Sequence, residues 1–263
     1  MTLVTTEIKE VNQRKIAYLY LDNPETRNSM TWDMGIRFKE EIEKLNNSSE
    51  KISCLILTGK NNIFSSGGDL GLLRSFKDQT FEKNSADMYE FYNNFLSIRT
   101  LPFPTIAAVN GHAVGAALSL ALACDLRVFS TTSKYSFNFV KLAIHPGMGS
   151  SYIVRELFGG NMANTLLMMA EAITGEDAKE MSLCQDAVAQ PDVVRRAAEM
   201  AINISESGPL ALRLLKQNSY NHEELQKALR REAEAQSKCF MTNDFLESLN
   251  SIIEKRKPEF KDD

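Results

Sequence analysis

Residues 104–125 read PTIAAVNGHAVGAALSLALACD, and this stretch decides the fold. The apolar run Thr105–Val109 predicts a short buried strand, and the Asn-Gly-His sequence at 110–112 predicts the turn that ends it. Gly115 and Ala116 then open a second apolar run that is long enough for a helix. Small residues at a helix start leave backbone N–H groups uncovered at the positive end of the helix dipole. The sequence therefore predicts a site here for an anion or for a developing oxyanion.

A second unit of the same kind lies upstream, at residues 53–74, which read SCLILTGKNNIFSSGGDLGLLR. Cys54–Thr58 predicts a strand, Gly59 predicts a turn, and the Gly-Gly-Asp sequence at 67–69 leads into a predicted helix. Repeated strand–turn–helix units joined by parallel crossovers predict an α/β fold.

The rest of the chain extends this pattern at both ends. Two β-rich runs open it, at Val4–Val11 and at Ile16–Leu21, and a helix is expected after Thr31 because apolar residues recur there at helical spacing. After Gly175 the sequence turns helical, and the Gly-Pro pair at 208–209 marks a helix boundary. The predicted helices of this part are Gly175–Met181, Val193–Ser205, Pro209–Gln217, Glu223–Cys239 and Asn243–Glu254.

The composition is that of an ordinary globular protein. Of 263 residues, 43% are hydrophobic and 24% are charged, which permits one large domain or one domain with an appendage. The net charge of −4 argues against nucleic acid as a partner. No stretch approaches the roughly 18 apolar residues of a membrane span, so none is expected. Neither glycine-rich nucleotide-binding motif is present, which argues against a dinucleotide or nucleoside-triphosphate site.

The cysteines and the first residues bear on location. Cys54, Cys124, Cys184 and Cys239 are widely spaced, and we expect reduced side chains that form neither a disulfide framework nor a metal site. The opening residues MTLVTTEIKEVNQ lack the basic and apolar regions of a secretory signal. Both observations favour a cytoplasmic protein.

Several of these segments together resemble one family. Two of them are FSSGGDL at 64–70 and PTIAAVNGHAVGAALSLALACDLRV at 104–128, and the others are PETRNSM at 24–30, LAIHPGMGSSY at 142–152 and EKRKPEFK at 254–261. With these segments the chain resembles the crotonase superfamily, also called the enoyl-CoA hydratase/isomerase family. The resemblance implies an α/β spiral of repeated ββα units over residues 1–200. It also implies a C-terminal helical region, 201–263, that covers the active site and builds homotrimers, which often pair into hexamers.

The resemblance further implies a coenzyme A thioester as substrate, with no other cofactor and no metal. Gly68 and Ala116 match the two positions whose backbone N–H groups form the oxyanion hole of the family. Arg27, the backbone of Ser66, and Lys255 match positions that contact CoA in relatives. For each exposed basic residue, a solvated surface charge is the alternative reading. Asp69, which follows the first glycine turn, is expected to cap the next helix.

The carboxylates of the family's hydratases are missing. Ser119 and Phe139 stand at the positions of the two catalytic glutamates, and Gly147 stands where other members place an Asp or Glu. Neither Ser nor Phe exchanges a proton at neutral pH. His145 is the candidate acid or base that remains, because imidazole ionises near neutral pH. The alternative for His145, and more so for His112, is a polar side chain satisfied within a turn.

Two groups of side chains are expected to shape or flank the acyl pocket. Four residues on the helix after the first glycine turn are most simply a solvated face: Asp87, Tyr89, Glu90 and Tyr92. Five methionines are expected to give adaptable packing along an acyl tunnel: Met88, Met148, Met162, Met168 and Met169.

Two classes of function remain open at this point. The first is an acyl-CoA enzyme that stabilises an enolate through the oxyanion hole, with isomerisation or decarboxylation favoured over hydration because the glutamates are absent. The second is a protein that binds acyl-CoA without turning it over, since a fold does not fix a function.

Overall fold

The computed structural model describes residues 3–263, and it confirms an α/β fold. The strands of this range are β1 (Val4–Val11), β2 (Arg14–Leu21), β3 (Ile52–Gly59), β4 (Thr105–Val109), β5 (Ala113–Val114), β6 (Leu126–Ser130), β7 (Lys134–Ser136), β8 (Ile173–Thr174) and β9 (Asp186–Val188). The α-helices of the same range are α1 (Trp32–Asn46), α2 (Leu70–Ser75), α3 (Phe81–Leu96), α4 (Ala116–Ala123), α5 (Ser150–Asn164), α6 (Gly175–Glu180), α7 (Val193–Ser205), α8 (Pro209–Ser219), α9 (His222–Phe240) and α10 (Asn243–Glu254).

The strands form two sheets. The larger has the order β1-β2-β3-β4-β6-β9; β1 is antiparallel to β2, and all later pairs are parallel. The smaller has the order β5-β7-β8 and carries the glycine turn that precedes α4. Strands buried on both faces account for the continuous apolar runs read from the sequence, because parallel strands in α/β folds are covered on both sides.

The first hairpin is longer than the sequence predicts. The expected strand Ile16–Leu21 begins at Arg14, whose backbone pairs with Val11. Asn12 and Gln13 form the two-residue turn and both have positive φ, at 51° and 62°. Such a turn matches the twist of the flanking strands, and the pairing therefore extends to the residues beside it.

The C-terminal helices lie close to their predicted bounds, and those of α7 and α10 agree with the prediction. The division at residue 200 falls within α7, which packs on β3, β4 and β6 of the larger sheet. The division into core and helical region stays a prediction. No helix among residues 3–263 is long and apolar enough to cross a membrane.

Helix starts place the loops that matter for the site. Asp69 accepts a hydrogen bond from the Leu72 N–H at the start of α2, which confirms the predicted cap. The start of α4 has no side-chain cap, because its N-cap residue is Gly115. Every residue of α4 is buried, so this helix runs through the core with its N-terminal N–H groups facing a cavity.

Candidate functional site

A cavity of about 430 Å³ opens where both glycine-rich turns meet. Its walls are mostly apolar. The apolar side chains that line it include Leu72, Leu73, Phe76, Met88, Phe91, Phe139, Leu142, Ile144, Met148 and Ile252. A concave apolar cavity with a few converging polar groups is the usual form of a small-molecule site.

The first turn presents the Gly68 N–H to this cavity. The Gly67 carbonyl accepts from the Met30 N–H at 2.8 Å, and the Asp69 N–H donates to the Met30 carbonyl at 3.2 Å. In a trans peptide the N–H points opposite to the carbonyl of the preceding residue. The Gly68 N–H therefore points away from Met30, and no hydrogen bond among residues 3–263 uses it.

The second turn presents the Ala116 N–H in the same way. The Gly115 carbonyl points into α4, where it accepts from the Ser119 N–H at 3.1 Å and the Ser119 hydroxyl at 3.0 Å. The Ala116 N–H, on the opposite side of that peptide, points out of the helix start and has no partner within the described chain. Both free N–H groups belong to residues that line the cavity.

The two turns are in direct contact. Ser65 and Ala113 form a parallel bridge, with the Ser65 N–H donating to the His112 carbonyl. A side-chain carbon built on Gly67 would lie 2.4 Å from the Val114 carbonyl oxygen, and Gly67 has φ +91°. Only glycine fits this position, because it tolerates both the close approach and the left-handed backbone.

Arg27 and Ser66 come together at one side of the cavity. The Ser66 N–H donates to the Arg27 carbonyl at 3.0 Å, and both residues are exposed and line the cavity. Asn28, fully buried, fixes this arrangement because its side-chain amide donates to the Ile63 and Phe64 carbonyls. The structure thus brings two of the three predicted CoA-contacting residues to one edge.

The third, Lys255, lies at the C-terminal end of α10. Ile252, one turn earlier, lines the cavity, and the Ser248 hydroxyl donates to the Leu142 carbonyl at 2.9 Å. The α10 helix therefore contributes to the wall of the cavity of its own chain. Lys255 is exposed at the end of this helix and is not among the residues that line the cavity.

The three residues predicted to replace the carboxylates of the family differ in their surroundings. Ser119 is buried in α4, where its hydroxyl is engaged by the Gly115 carbonyl. The Phe139 ring lines the cavity, and a side-chain carbon on Gly115 would lie 3.8 Å from it. Gly147 also lines the cavity. None of the three offers a proton acceptor of useful strength.

Neither His145 nor His112 is among the residues that line the cavity. His145 is half-buried, and its Nδ1 lies 2.6 Å from the Pro146 carbonyl oxygen. His112 Nδ1 accepts from the Lys134 N–H at 2.9 Å, the arrangement expected of a histidine satisfied in a turn. The role of His145 as an acid or base stays a prediction, with no contact to the cavity that would support it.

The prediction of a solvated face at Tyr92 is wrong. Tyr92 is 1% exposed, and its hydroxyl donates to the Gln236 Oε1 at 2.7 Å. Gln236, on α9, donates in turn to the His145 carbonyl at 2.7 Å. Both side chains line the cavity, and burial together with the nearby Glu232 holds the pKa of Tyr92 well above its usual range.

Asp69 is the carboxylate in the cavity lining, and its oxygens are already engaged. Oδ1 accepts from the Leu72 N–H at 2.9 Å, and Oδ2 accepts from the Ser29 hydroxyl at 3.2 Å. Its capping role explains why it does not stand out into the cavity as a free base.

Glu232 lies behind the cavity wall. It is fully buried and accepts from the Gly149 N–H at 2.6 Å and from the Ser151 N–H at 2.8 Å, at the start of α5. Burial raises the pKa of Glu232 to about 7, although the hydrogen bonds from Ser151 and Gly149 oppose that rise. It is not among the residues that line the cavity.

Of the five methionines predicted to pack along an acyl tunnel, some line the cavity or pack against the core and others are exposed. Met88 and Met148 line the cavity, as predicted, and Met162 packs partly buried against the core. Met168 and Met169 are 71% and 54% exposed, so their assignment to the packed interior is wrong.

The four cysteines are free. Among residues 3–263 no cluster of three His, Cys, Asp or Glu side chains is placed to hold a metal ion.

Sequence reasoning missed Gln236 and Glu232, although a signal was present. Buried residues of α9 recur three or four positions apart, and this face contains both polar residues together with the apolar ones: Leu225, Leu229, Glu232, Ala233, Gln236 and Phe240. Polar residues at apolar helix positions are the informative exceptions of such a pattern.

Comparison with known proteins agrees with this architecture. Crotonyl-CoA hydratase from Syntrophomonas wolfei is 30% identical over 251 residues, which cover 94% of this chain and 95% of the relative. The crystal structure of enoyl-CoA hydratase from Bacillus halodurans superposes with a TM-score of 0.83 at 27% identity, covering 94% of this chain and 99% of that one. A structure described as part of a dehydratase/decarboxylase enzyme couple in polyketide beta-branching gives 0.81 at 25% identity, covering 94% and 98%.

The family assignment rests on nearly the whole chain. Residues 11–263 match the sequence model of the enoyl-CoA hydratase/isomerase family, a span that includes both glycine-rich turns, the cavity and α10. With its parallel sheet, its two paired turns and its helical C-terminal region, the chain belongs to the enoyl-CoA hydratase/isomerase family, the crotonase superfamily.

Proposed function

We propose that this protein is an acyl-CoA decarboxylase that uses the Gly68 and Ala116 N–H groups as an oxyanion hole. Membership of the family supports an acyl-CoA substrate. Both N–H groups are free of partners within residues 3–263 and lie at the cavity. Two preorganised donors stabilise the negative charge that develops on a thioester oxygen.

The observation that carries the choice of reaction is that the carboxylate of the cavity lining, Asp69, is committed to the start of α2. Hydrogen bonds from the Leu72 N–H and the Ser29 hydroxyl hold it there, and burial raises the pKa of Tyr92 well above its usual range. Hydration and isomerisation both need a group that takes up a proton. Loss of a carboxylate does not, because the breaking bond itself supplies the electron pair.

In the proposed step the bond between the α-carbon and its carboxylate breaks, and CO2 leaves. The electron pair moves into the thioester as an enolate whose oxygen accepts hydrogen bonds from the Gly68 and Ala116 N–H groups. The α-carbon then takes a proton from water, leaving hydroxide, and the shortened acyl-CoA is the product. An apolar cavity favours this step, because it solvates the starting carboxylate poorly.

The names of the relatives include two different reactions, hydration and decarboxylation. A relative named as a hydratase and a structural neighbour described with a decarboxylase couple both share the fold over more than nine-tenths of this chain. We predict that Ser119 and Phe139 stand at the two glutamate positions of the family's hydratases, and this prediction favours the reaction that works without those carboxylates.

The test offers malonyl-CoA, methylmalonyl-CoA and crotonyl-CoA to the purified protein and follows the products by mass spectrometry. We expect decarboxylation of a thioester with an α-carboxylate, and hydration of crotonyl-CoA many-fold slower than a two-glutamate site supports. Ala116→Pro removes one N–H at the first position of a helix, where proline fits. It should lower kcat by roughly 10²–10³.

Matched variants separate the N–H from the side chain. Ala116→Gly and Gly68→Ala both retain the N–H, and a side-chain carbon on Gly68 meets only Leu73, at 3.6 Å. Their losses should be far smaller than that of Ala116→Pro. Equal activity in Ala116→Pro and wild type would overturn the oxyanion hole. Tight thioester binding without turnover of any α-carboxylated thioester would favour the non-catalytic acyl-CoA-binding alternative.

We infer in addition that copies of the chain associate as a trimer or hexamer in the cytoplasm. Exposed apolar side chains on α8 support association: Leu210, Leu214 and Leu215 are 62%, 49% and 65% exposed. Four free cysteines support a reducing compartment. Light scattering of the purified protein measures the assembly directly.

A further inference from the structure

We propose that Tyr92 and Gln236 form a recognition pair for an acyl chain that carries a neutral oxygen, a hydroxyl or a carbonyl. The inference concerns the acyl group and rests on the proposed function only in taking an acyl-CoA as the ligand. It assigns the selectivity of the cavity to two side chains on opposite helices, α3 and α9.

The pair is a buried polar feature of a mostly apolar wall. Tyr92 and Gln236 are 1% and 2% exposed, and both line the cavity beside Phe76, Met88 and Met148. Buried polar groups carry a cost unless they are hydrogen-bonded, so their presence in an apolar wall calls for partners.

The pair retains hydrogen-bonding capacity after its protein partners are counted. Tyr92 donates to Gln236 Oε1, and one N–H of Gln236 Nε2 donates to the His145 carbonyl. A glutamine amide has two N–H groups, and a phenol oxygen also accepts. Within residues 3–263 the second Gln236 N–H and the Tyr92 oxygen lone pairs have no recorded partner, and an acyl oxygen in the cavity supplies one.

Gly147 makes room for the pair. A side-chain carbon built on Gly147 would lie 2.7 Å from both the Tyr92 hydroxyl and the Gln236 Nε2. Any larger residue at 147 must displace one of them. The pair can therefore hold its present geometry only because residue 147 has no side chain.

Electrostatics select a neutral oxygen over a carboxylate at this place. Glu232, fully buried, is close enough to Tyr92 to contribute to the raised pKa of its hydroxyl. Asp69 lines the same cavity, and the cation in the lining, Arg27, is exposed at its edge. A charged acyl end beside the pair would be desolvated without a counter-ion, which is costly.

The chain offers a matched control for a purely structural role. Tyr89 and Gln226 lie on the same two helices and form the same bond, with the Tyr89 hydroxyl 2.6 Å from Gln226 Oε1. Neither lines the cavity. If tyrosine–glutamine bonds serve only to hold α3 against α9, the two pairs should behave alike.

The experiment measures dissociation constants by calorimetry for hexanoyl-CoA, its 3-, 4- and 5-hydroxy derivatives, and adipyl-CoA as the charged comparison. We expect one hydroxy derivative to bind about 3- to 10-fold more tightly than hexanoyl-CoA, the value of one added hydrogen bond. Adipyl-CoA should bind more weakly than hexanoyl-CoA.

Tyr92→Phe and Gln236→Met should each bring the hydroxyl preference, the ratio of the dissociation constants of hexanoyl-CoA and its preferred hydroxy derivative, close to one. Tyr89→Phe should retain the full preference, although both Tyr→Phe variants should lower the melting temperature by similar small amounts. Gly147→Ala should lose the preference too, because the added carbon displaces the pair.

Each remaining outcome decides the matter. A preference that is missing in wild type, or that persists in both Tyr92→Phe and Gln236→Met, overturns the recognition pair and leaves the proposed reaction standing. Tighter binding of adipyl-CoA than of every hydroxy derivative also overturns it. A hydroxyl preference without any decarboxylation upholds the pair and rejects the reaction. Binding of no thioester better than free CoA rejects both.

Discussion

Asp125 and Glu232 are both largely removed from water, but the protein treats them in opposite ways. Asp125, after α4, accepts hydrogen bonds from the Thr105 N–H at 2.7 Å, from the Lys216 ammonium at 2.9 Å and from the Tyr220 hydroxyl. Burial alone would raise the pKa of Asp125, but the Lys216 charge and these hydrogen bonds outweigh it and lower that pKa.

Glu232 has hydrogen bonds but no ion pair with a Lys or Arg of residues 3–263. Its pKa rises to about 7 because burial outweighs the donors. The opposite pKa shifts of the two carboxylates thus follow from the presence or absence of a counter-ion, and not from the number of hydrogen bonds. The difference teaches that the chain places a buried cation where α8 docks on the core, whereas the cation of the cavity lining, Arg27, is exposed.

Lys216→Met should have the largest effect. It leaves Asp125 buried without its cation, and breaking one partner of such a pair costs about 3–5 kcal/mol. Urea unfolding measures the loss. Lys227→Met is the control, because Lys227 is exposed and its ion pairs with Glu223 and Glu224 are at the surface, so little change is expected. A loss for Lys216→Met as small as that of the control would contradict the assignment.

Glu232→Gln should change the pH dependence of stability. The folded protein keeps the Glu232 proton up to about pH 7, whereas an unfolded glutamate loses it near 4.3. The folded state binds this proton more tightly than the unfolded state does. The contribution of Glu232 to the free energy of unfolding is therefore full below about pH 4 and is lost as the pH rises through 7.

The stability of wild type relative to Glu232→Gln should therefore fall by roughly 2–3 kcal/mol between pH 5 and pH 8. Denaturant titrations across that range test it. For Glu234→Gln, at an exposed position on the same helix, the plot of unfolding free energy against pH should be parallel to that of wild type. Parallel curves for Glu232→Gln as well would mean that Glu232 titrates like an ordinary carboxyl.

Two hydroxyl deletions sharpen the comparison. Tyr220→Phe removes a donor to the charged Asp125, and such bonds contribute about 1.5–3 kcal/mol. Tyr92→Phe removes a bond between neutral groups, which is worth about 0.5–1.5 kcal/mol. Unfolding free energies should therefore rank Tyr220→Phe as the more damaging change, and the reverse order would show that the charge of Asp125 adds nothing.

The smallest effect is expected from two exposed cations, Arg27 in the cavity lining and Lys255 at the end of α10. Arg27→Ala and Lys255→Ala should each weaken CoA binding about 3-fold at low salt, and the loss should shrink at high salt because exposed charges are screened. Lys39→Ala, on α1 and outside the cavity lining, serves as the control. Affinities for CoA that match those of Lys39→Ala at low salt would remove both residues from the phosphate contacts.

The sequence predicts the elements on which the site is built, for a local reason. The strand Thr105–Val109, the turn after it and the start of α4 are each specified by neighbouring residues, because apolar runs and glycine turns act within a few positions. The Asp69 cap depends on a spacing of three residues and is confirmed for the same reason.

The polar interior could not be predicted in this way. Tyr92 and Gln236 are 144 residues apart in sequence, and Lys216 and Asp125 are 91 apart. Their partnership depends on how α3 meets α9 and how α8 meets the core, which no local pattern encodes. Met88, Phe91 and Phe95 recur around Tyr92 at helical spacing, so the pattern does indicate that Tyr92 faces inward. The pattern does not indicate its partner on α9.

The contact between Gly147 and the Tyr92–Gln236 pair couples three positions that are far apart in the sequence. The first carbon of any side chain at 147 would lie 2.7 Å from both the Tyr92 hydroxyl and the Gln236 Nε2, so one of these two side chains must move to admit it. The hydrogen bond between them cannot then keep its present geometry. A substitution at 147 and one at 92 or 236 should therefore have non-additive effects, the coupling that a double-mutant cycle measures between residues in contact.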